Sequence, residues 1–291
     1  MQILPALLNR LQTYGRLIKF SHTIFALPFA LAAVLLAHRQ QPVSLSTLGW
    51  IVLALAAARS AAMGFNRYVD YEFDRRNPRT ATRPLVVGDI DHSSVLLLIF
   101  ASSLLFLLSA GMLGHLCLAL APPTLLVLFC YSYTKRFTSF SHLVLGFAIG
   151  LAPVGAWVAS TGSIDLRILP LAMALMTYIA GFDILYACQD FEFDRTQRLF
   201  SYPACRGVAE ALHFSSLLHT LSFLLLLIVY GVFDMGGVYL VFLAPIGMLL
   251  FLEHQLVRPE RLERVNLAFF HINSAISLLI LAAVALDTWT R

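Results

Sequence analysis

The chain has 291 residues, of which 59% are apolar and only 12% are charged, and its mean hydropathy is +0.80. These values exclude a soluble globular domain and are typical of a helical protein that crosses a membrane several times. The net charge of +4 and the pI near 9.0 come from basic residues between the apolar segments, so they do not indicate nucleic-acid binding.

Apolar runs of about 20 residues, the length that a helix needs to cross a bilayer, predict nine membrane-spanning helices. In chain order they lie at residues 17–37, 46–68, 93–111, 114–133, 141–160, 167–188, 208–230, 236–253 and 266–288. Only a short segment separates the third run from the fourth, so eight spans are the alternative count. We predict an all-α membrane protein that forms one domain, residues 1–291, around a central cavity open to the cytoplasm.

Basic residues concentrate on one side of the predicted bundle. They precede the first span and follow each even-numbered span: Arg10, Arg16, Lys19, Arg75, Arg76, Arg79, Arg83, Lys135, Arg136, Arg195, Arg198, Arg206, Arg258, Arg261 and Arg264. The opposite side has only Arg39, Arg167 and the C-terminal Arg291. Cytoplasmic loops of membrane proteins are enriched in Lys and Arg, so we expect a cytoplasmic N-terminus.

Two nearly identical acidic patches follow the second and the sixth span. The first, residues 70–75, reads DYEFDR, and the second, residues 190–195, reads DFEFDR. Both follow an even-numbered span and therefore lie on one side of the membrane. This arrangement predicts two parallel repeats, residues 15–137 and 138–256, with an extra helix at 265–288.

Helical spacing places the oxygen-bearing side chains of each patch in one stripe. Asn66, Asp70 and Asp74 recur every four residues, and so do Asp190 and Asp194 in the second patch. Carboxylates at this spacing repel each other and weaken a helix unless a cation bridges them. Hard oxygen ligands suit Mg²⁺, which completes its shell with water and substrate phosphate. We therefore predict that these five residues bind metal and diphosphate.

Further charged residues surround the two stripes. Arg59 and Asp183 lie deeper in their spans, where ionised groups are normally paired or functional. Either they pair across the cavity, or Arg59 binds an anionic group of a substrate. Glu72 and Glu192 project away from the stripes, and we expect them to be solvated.

The loops supply hydrogen-bond donors for phosphate oxygens. These donors are Arg79, Arg83, Lys135 and Arg136. The alternative is that the charges only set the topology. The histidines, His142 and His219 among them, show no ligand spacing, so we predict no zinc or haem-iron site.

At these residues the chain resembles the UbiA superfamily of intramembrane prenyltransferases. The hallmarks of the family are an N-x-x-x-D-x-x-x-D motif after the second helix and a D-x-x-x-D motif after the sixth, which match residues 66–74 and 190–194. Other positions that fit the family pattern are Arg59, Arg79-Thr80, Arg83-Pro84, Tyr131-x-x-x-Lys135 and Asp183. Many members begin the first motif with Asn-Asp, whereas this chain has Asn66-Arg67, so no metal role is transferred to position 67.

Within the superfamily, residues 21–29 and 181–190 are most similar to the 4-hydroxybenzoate polyprenyltransferase group, and more narrowly to its bacterial UbiA-like branch. The resemblance implies Mg²⁺-dependent transfer of a polyprenyl group from polyprenyl diphosphate to an aromatic acid in respiratory quinone synthesis, for ubiquinone or menaquinone. The acceptor would be 4-hydroxybenzoate, with 1,4-dihydroxy-6-naphthoate of the futalosine route to menaquinone as the alternative. It also implies a bacterial inner membrane protein in contact with lipid, with no obligate protein partner.

The resemblance further implies roles for individual residues. Catalytic roles fall to Tyr131, Lys135 and Asp183. Substrate contacts fall to a larger set: Arg59, Arg79, Arg83, Lys135, Arg136, Asp183 and Tyr186. His22 either packs within its helix or lines the acceptor pocket.

Secondary transport is the alternative function of another class, because duplicated halves with acidic groups also occur in carriers. Carriers place charged sites near the middle of the bilayer, whereas these aspartates cluster at one membrane face beside basic loops. A third alternative is a non-catalytic assembly protein, against which the intact ligands of both patches argue.

Overall fold

The computed structural model describes residues 12–258, 265 and 268–290, and these residues form helices and no strand. The predicted all-α membrane fold is confirmed. We number the nine principal helices α1 Leu27–His38, α2 Leu45–Val69, α3 His92–Leu113, α4 His115–Thr134, α5 Ser141–Thr161, α6 Leu169–Ala187, α7 Val208–Val232, α8 Gly237–Leu256 and α9 Asn273–Trp289. Within the described residues, eight helices are long and apolar enough to cross a membrane, and α1, with 12 residues, is shorter.

The first predicted span, residues 17–37, is not one continuous helix. Lys19 has a left-handed backbone conformation (φ 47°, ψ 57°), which is uncommon for a residue with a Cβ atom. A 3₁₀ turn, Phe20–Phe25, follows it, and α1 begins only at Leu27, where Pro28 fits the first helical turn. The apolar composition of this segment did not reveal the kink.

The ninth predicted span, residues 266–288, corresponds to a π-helical turn, Ala268–Ile272, followed by α9. Residues 266 and 267 lie outside the described residues. The same is true of four basic residues used to predict the orientation: Arg10, Arg261, Arg264 and Arg291.

The two acidic patches share one backbone structure. Each follows a long helix and forms a six-residue helix, Tyr71–Arg76 or Phe191–Thr196. Asp70 (φ −91°, ψ 3°) and Asp190 (φ −99°, ψ 8°) occupy the equivalent bends. The predicted stripes therefore pass through a bend in the backbone. The division into halves at residues 15–137 and 138–256 stays a prediction.

Helices α5 and α6 pack closely because small residues lie along their contact. Gly146 and Gly150 are four residues apart and face α6. A Cβ atom on Gly146 would lie 2.3 Å from the carbonyl oxygen of Met176. A Cβ atom on Gly150 would lie 3.0 Å from the carbonyl oxygen of Ala172. Such contacts between small residues are typical of helices in membranes.

Replacing Gly146 with Ala should destabilise the protein, because the added methyl group collides with backbone of α6. We expect a loss of about 1–3 kcal/mol and a lower temperature of thermal unfolding in detergent. Gly155→Ala is the matched control on the same helix, since its Cβ atom would have no neighbour within 4 Å. Equal unfolding temperatures for the two variants would contradict this packing.

Candidate active site

A polar cavity of about 280 Å³ lies at the end of the bundle that carries both acidic patches. The structure brings together in its wall every predicted site residue except Arg136. The residues are Arg59, Asn66, Asp70, Asp74, Arg79, Arg83, Tyr131, Lys135, Asp183, Tyr186, Asp190 and Asp194. The two patches thus face one common space, although 120 residues separate Asp70 from Asp190 in the sequence.

Three aspartates of the patches each form an ion pair with a basic residue. The pairs are Asp70–Lys135, Asp74–Arg83 and Asp190–Arg79. The basic residue of each pair lies in a loop or at a helix end, outside the patch that contains its aspartate. A buried carboxylate needs such a partner, because the loss of hydration is otherwise costly.

Asp70 is the most enclosed of these carboxylates, with 2% of its surface exposed. Its Oδ2 lies 2.6 Å from Lys135 Nζ and 3.0 Å from Asn66 Nδ2. Its Oδ1 is buried and accepts no hydrogen bond, although the Arg136 guanidinium lies 3.5 Å away. An under-used carboxylate oxygen at this position fits a ligand for a hard cation.

Asn66 connects Asp70 of the first patch to Arg67 of α2 through two hydrogen bonds. Its Nδ2 donates to Asp70, and its Oδ1 accepts a hydrogen bond of 3.2 Å from Arg67. Arg67 is 5% exposed and also donates to the carbonyl oxygen of Leu17 at 3.2 Å. No role for Arg67 could be predicted from the sequence. Metal binding by Asn66 stays a prediction, and the second lone pair of its Oδ1 could serve a metal while Arg67 holds the first.

The loop after the first patch reaches across the cavity to the second. Asn77 Nδ2 and Arg79 Nε each donate to Asp190 Oδ1 at 2.8 Å. Arg79 Nη1 donates to the Tyr186 hydroxyl at 2.6 Å. Burial favours a lower pKa for Arg79, but the hydrogen bonds with Asp190, together with the charges of Tyr186, Asp190 and Asp74, raise the pKa. Asn77 is a positioning residue that the motif analysis missed.

The donor set fits Mg²⁺. Asp194 also lines the cavity, and no ion pair between described residues includes it. Across the described chain, no group of three His, Cys, Asp or Glu side chains is close enough to hold a metal by itself. Mg²⁺ typically takes one or two carboxylates and fills its shell with water and phosphate oxygens. The cavity is therefore suited to a metal that arrives with an anionic substrate.

Arg59 and Asp183 do not pair with each other, so that alternative is wrong. Arg59 Nη2 donates to the carbonyl oxygen of Lys19 at 3.3 Å, and its Nε is buried without a hydrogen-bond partner. Asp183 Oδ2 lies 2.6 Å from His142 Nδ1. The kink at Lys19 brings a backbone oxygen to Arg59, and the sequence showed no sign of it.

Lys19 is a cavity residue that the sequence analysis had used only to predict the topology. Its Nζ lies 3.4 Å from the Tyr186 hydroxyl and 5.2 Å from the centroid of that ring. His22 lines the same wall and packs edge-on against Phe25. Uncommon backbone conformations such as that of Lys19 often occur at functional sites.

Arg136 lies behind Asp70 and outside the cavity wall. Its Nη2 donates to the carbonyl oxygen of Val69 at 2.8 Å, at the end of α2. The guanidinium also lies 5.3 Å from the ring centroid of Phe73 and 5.0 Å from that of Tyr133. Arg136 therefore supports the bend at Asp70, and a direct substrate contact stays a prediction.

An apolar cavity, also of about 280 Å³, adjoins the polar one. The two cavities share six wall residues: Ala26, Arg59, Met63, Tyr131, Leu145 and Ile149. Along α4 the apolar cavity extends from Tyr131 to Cys117, a distance of about 20 Å at 1.5 Å per residue. The pair of cavities can take a ligand with a charged head and a long apolar tail.

Residues 26–275 match the family model described as the UbiA prenyltransferase family. The chain is similar to a 4-hydroxybenzoate octaprenyltransferase from Nitrosomonas eutropha, with 28% identity over 239 residues that cover 81% of this chain and 82% of the relative. The apo structure of a UbiA homolog from Aeropyrum pernix K1 is 32% identical, with a TM-score of 0.83 and coverage of 91% of this chain and 98% of that one.

A second solved structure is similar in fold. It is a UbiA homolog from Archaeoglobus fulgidus bound to DMAPP and Mg²⁺, with 21% identity and a TM-score of 0.71. The match covers 96% of this chain and 100% of that one. At this identity the likeness shows the fold alone.

Replacing Asp70 with Asn should destabilise the protein, because Lys135, whose side chain is 31% exposed, loses the counter-ion to which it is bonded. We expect a loss of about 1–3 kcal/mol in the free energy of unfolding, measured by denaturation in detergent. Glu72→Gln, in the same patch, is the control, since Glu72 is half exposed and its ion-pair partners among the described residues are exposed arginines. Its effect should stay within about 0.5 kcal/mol. Equal losses of stability in the two variants would contradict the role of Asp70 as the counter-ion of Lys135.

Proposed function

The chain belongs to the UbiA prenyltransferase family, and we propose that it transfers a polyprenyl group from a polyprenyl diphosphate to an aromatic acid with Mg²⁺ as cofactor. The observation that carries this proposal is the meeting of both acidic patches in one polar cavity that adjoins an apolar one. A diphosphate head fits the first space and an isoprenoid tail the second. Family membership also decides against the alternative of a secondary transporter.

We propose 4-hydroxybenzoate as the acceptor, in respiratory quinone synthesis. The relative from Nitrosomonas eutropha, named for this activity, supports it at 28% identity. Arg59 supports an acidic acceptor, because its buried Nε lacks a partner and the residue lines both cavities. The alternative acceptor is 1,4-dihydroxy-6-naphthoate, which carries the same carboxylate.

We propose that the protein lies in the inner membrane of a bacterium, in contact with lipid, with its N-terminus and polar cavity at the cytoplasmic face. The excess of basic residues beside the acidic patches supports this orientation. The cavity would then be open to soluble acceptor and to Mg²⁺, while the tail of the donor stays at the depth of the lipid.

The two patches would hold the donor. Asp70 and Asp74 from the first patch, with Asp190 and Asp194 from the second, would ligate Mg²⁺, with Asn66 as a further ligand. When bound, Mg²⁺ neutralises the diphosphate and makes it a better leaving group. The basic partners of these aspartates would turn to the phosphate oxygens and stabilise the charge that develops on them.

Transfer breaks the allylic C–O bond, and its electron pair leaves with the diphosphate. Tyr131 lies where the two cavities meet, so its ring can stabilise the positive charge on the allylic carbon. Tyr186 offers a second aromatic face to the same cavity. The apolar wall excludes water from the cation. A ring carbon of the acceptor forms the new bond, and Asp183 accepts the proton that the ring then loses.

Asp70→Ala and Asp190→Ala should each reduce turnover by at least about 100-fold, because each removes a ligand from one patch. The assay combines purified protein, Mg²⁺, labelled geranyl or farnesyl diphosphate and 4-hydroxybenzoate, and it detects prenylated acid. Glu72→Ala and Glu192→Ala are the matched controls from the same two patches and should retain activity. Full activity in either Asp variant would exclude the scheme. A parallel assay with 1,4-dihydroxy-6-naphthoate decides between the acceptors.

Arg59→Gln should raise the KM for the aromatic acid by roughly 10–100-fold, the effect of losing one hydrogen bond to a charged group. The KM for the prenyl diphosphate should change little, because the three paired cations serve the diphosphate. A phenolic acceptor without a carboxylate is the control. Its KM should be the same for Arg59→Gln and for wild type. An equal rise in both KM values would contradict the assignment of Arg59 to the acceptor.

A further inference from the structure

We propose that His142 is a positioning residue for the transfer reaction, which holds the carboxylate of Asp183 in place to accept the ring proton. The inference rests on the proposed function and deepens it. In the sequence, His142 shows no spacing typical of a metal ligand. It also lies 41 residues before Asp183 in the chain, on a different helix.

The hydrogen bonds of His142 fix which ring nitrogen carries its proton. The backbone N–H of Tyr202 donates to His142 Nε2 at 3.2 Å. Since an amide N–H can only donate, Nε2 is an acceptor and carries no proton. The ring proton of the imidazole is therefore on Nδ1, which donates to Asp183 Oδ2 at 2.6 Å.

This tautomer makes His142 a support and Asp183 the base. The His142 side chain is 6% exposed, and its one free lone pair is taken by Tyr202, so it has no site for the substrate proton. The Asp183 side chain is 27% exposed and lines the polar cavity. His142 also lines this cavity, but its Nε2 already accepts a hydrogen bond, so of the two groups only the carboxylate has a lone pair for the substrate proton.

Asp183 differs from the three paired aspartates of the patches in the kind of partner it has. Those are bonded to Lys or Arg, which hold a full positive charge. No ion pair between described residues joins Asp183 to Lys or Arg; its hydrogen-bond donor is a neutral imidazole. A neutral donor orients a carboxylate without cancelling its charge, so Asp183 keeps the charge that a proton acceptor needs.

The close packing of α5 on α6 makes this contact possible. His142, Gly146 and Gly150 recur every four residues and share one face of α5. The two glycines bring the backbones together, and His142 extends the same seam to Asp183 on α6. On the other side of the imidazole, the backbone N–H of Tyr202, which follows the second patch, donates to Nε2.

In the reaction, the new C–C bond uses an electron pair of the aromatic ring. The ring carbon then loses its hydrogen as a proton to Asp183, and the electron pair of that C–H bond restores the aromatic ring. Charge is balanced, because diphosphate has already left with the electron pair of the broken C–O bond. A carboxylate that turned away from the ring would leave this last step slow.

The test compares His142→Ala, His142→Asn and wild type with 4-hydroxybenzoate that is deuterated on the ring. In His142→Ala we expect kcat to fall roughly 10–100-fold, with unchanged affinity for Mg²⁺ and a non-hydrolysable prenyl diphosphate. The deuterium isotope effect should rise above that of wild type, because proton loss becomes slower. His142→Asn should recover much of kcat, since the Asn amide can donate from nearly the position of Nδ1. His213→Ala, at an exposed position on α7, is the control.

A wild-type kcat in His142→Ala would overturn the proposal. So would a slowed variant whose isotope effect is no larger than that of wild type. If the Ala variant does not fold, His142→Asn and His142→Gln decide: Asn can donate to Asp183, whereas the longer Gln side chain places its amide nearer Tyr202. A higher kcat in His142→Asn than in His142→Gln supports the proposal, and an equal or lower kcat overturns it. Failure of wild type itself to prenylate either acid would instead refute the proposed function.

Discussion

Neutralisation of buried negative charge is the constraint on which this site depends. Asp70 and Asp74 are 2% and 6% exposed at the end of an apolar bundle, where an uncompensated carboxylate is costly. Lys135 and Arg83 satisfy that need by direct ion pairs, and Arg79 does the same for Asp190. The cations that neutralise these carboxylates therefore already lie beside the place where, under the proposed function, phosphate would bind, so little rearrangement would be needed to stabilise a leaving group.

Features that repeat along the chain could be predicted from the sequence. Long apolar runs predicted the spanning helices, and the doubled motif predicted that Asp70 and Asp190 face one space. Contacts between distant segments could not be predicted. His142 and Asp183 meet because glycines set the distance between two helices, and periodicity reveals the face of a helix but not its neighbour. For the same reason, the sequence suggested an ion pair between Arg59 and Asp183. In the structure Arg59 donates to the backbone carbonyl oxygen of Lys19 instead.

Local backbone geometry set a second limit on prediction. The first span reads as one apolar helix, yet Lys19 interrupts it with a left-handed residue. Asp70 and Asp190 likewise bend what reads as a regular stripe. A left-handed conformation is unfavourable for a residue with a Cβ atom, and at Lys19 the hydrogen bond from Arg59 to its carbonyl oxygen helps to hold it. These contacts belong to the folded state, so no local sequence signal marks them.

The wall shared by the two cavities has a consequence for how such a protein can diversify. Arg59 and Tyr131 border both spaces, so a change there alters head and tail recognition together. Cys117 and Leu113 border only the apolar space, and Cys117 lies about 20 Å from Tyr131 along α4. Under the proposed function, substitutions at that remote end would adjust the room for successive isoprene units without altering the residues that bind the diphosphate. Product length would then change while the polar cavity keeps its residues.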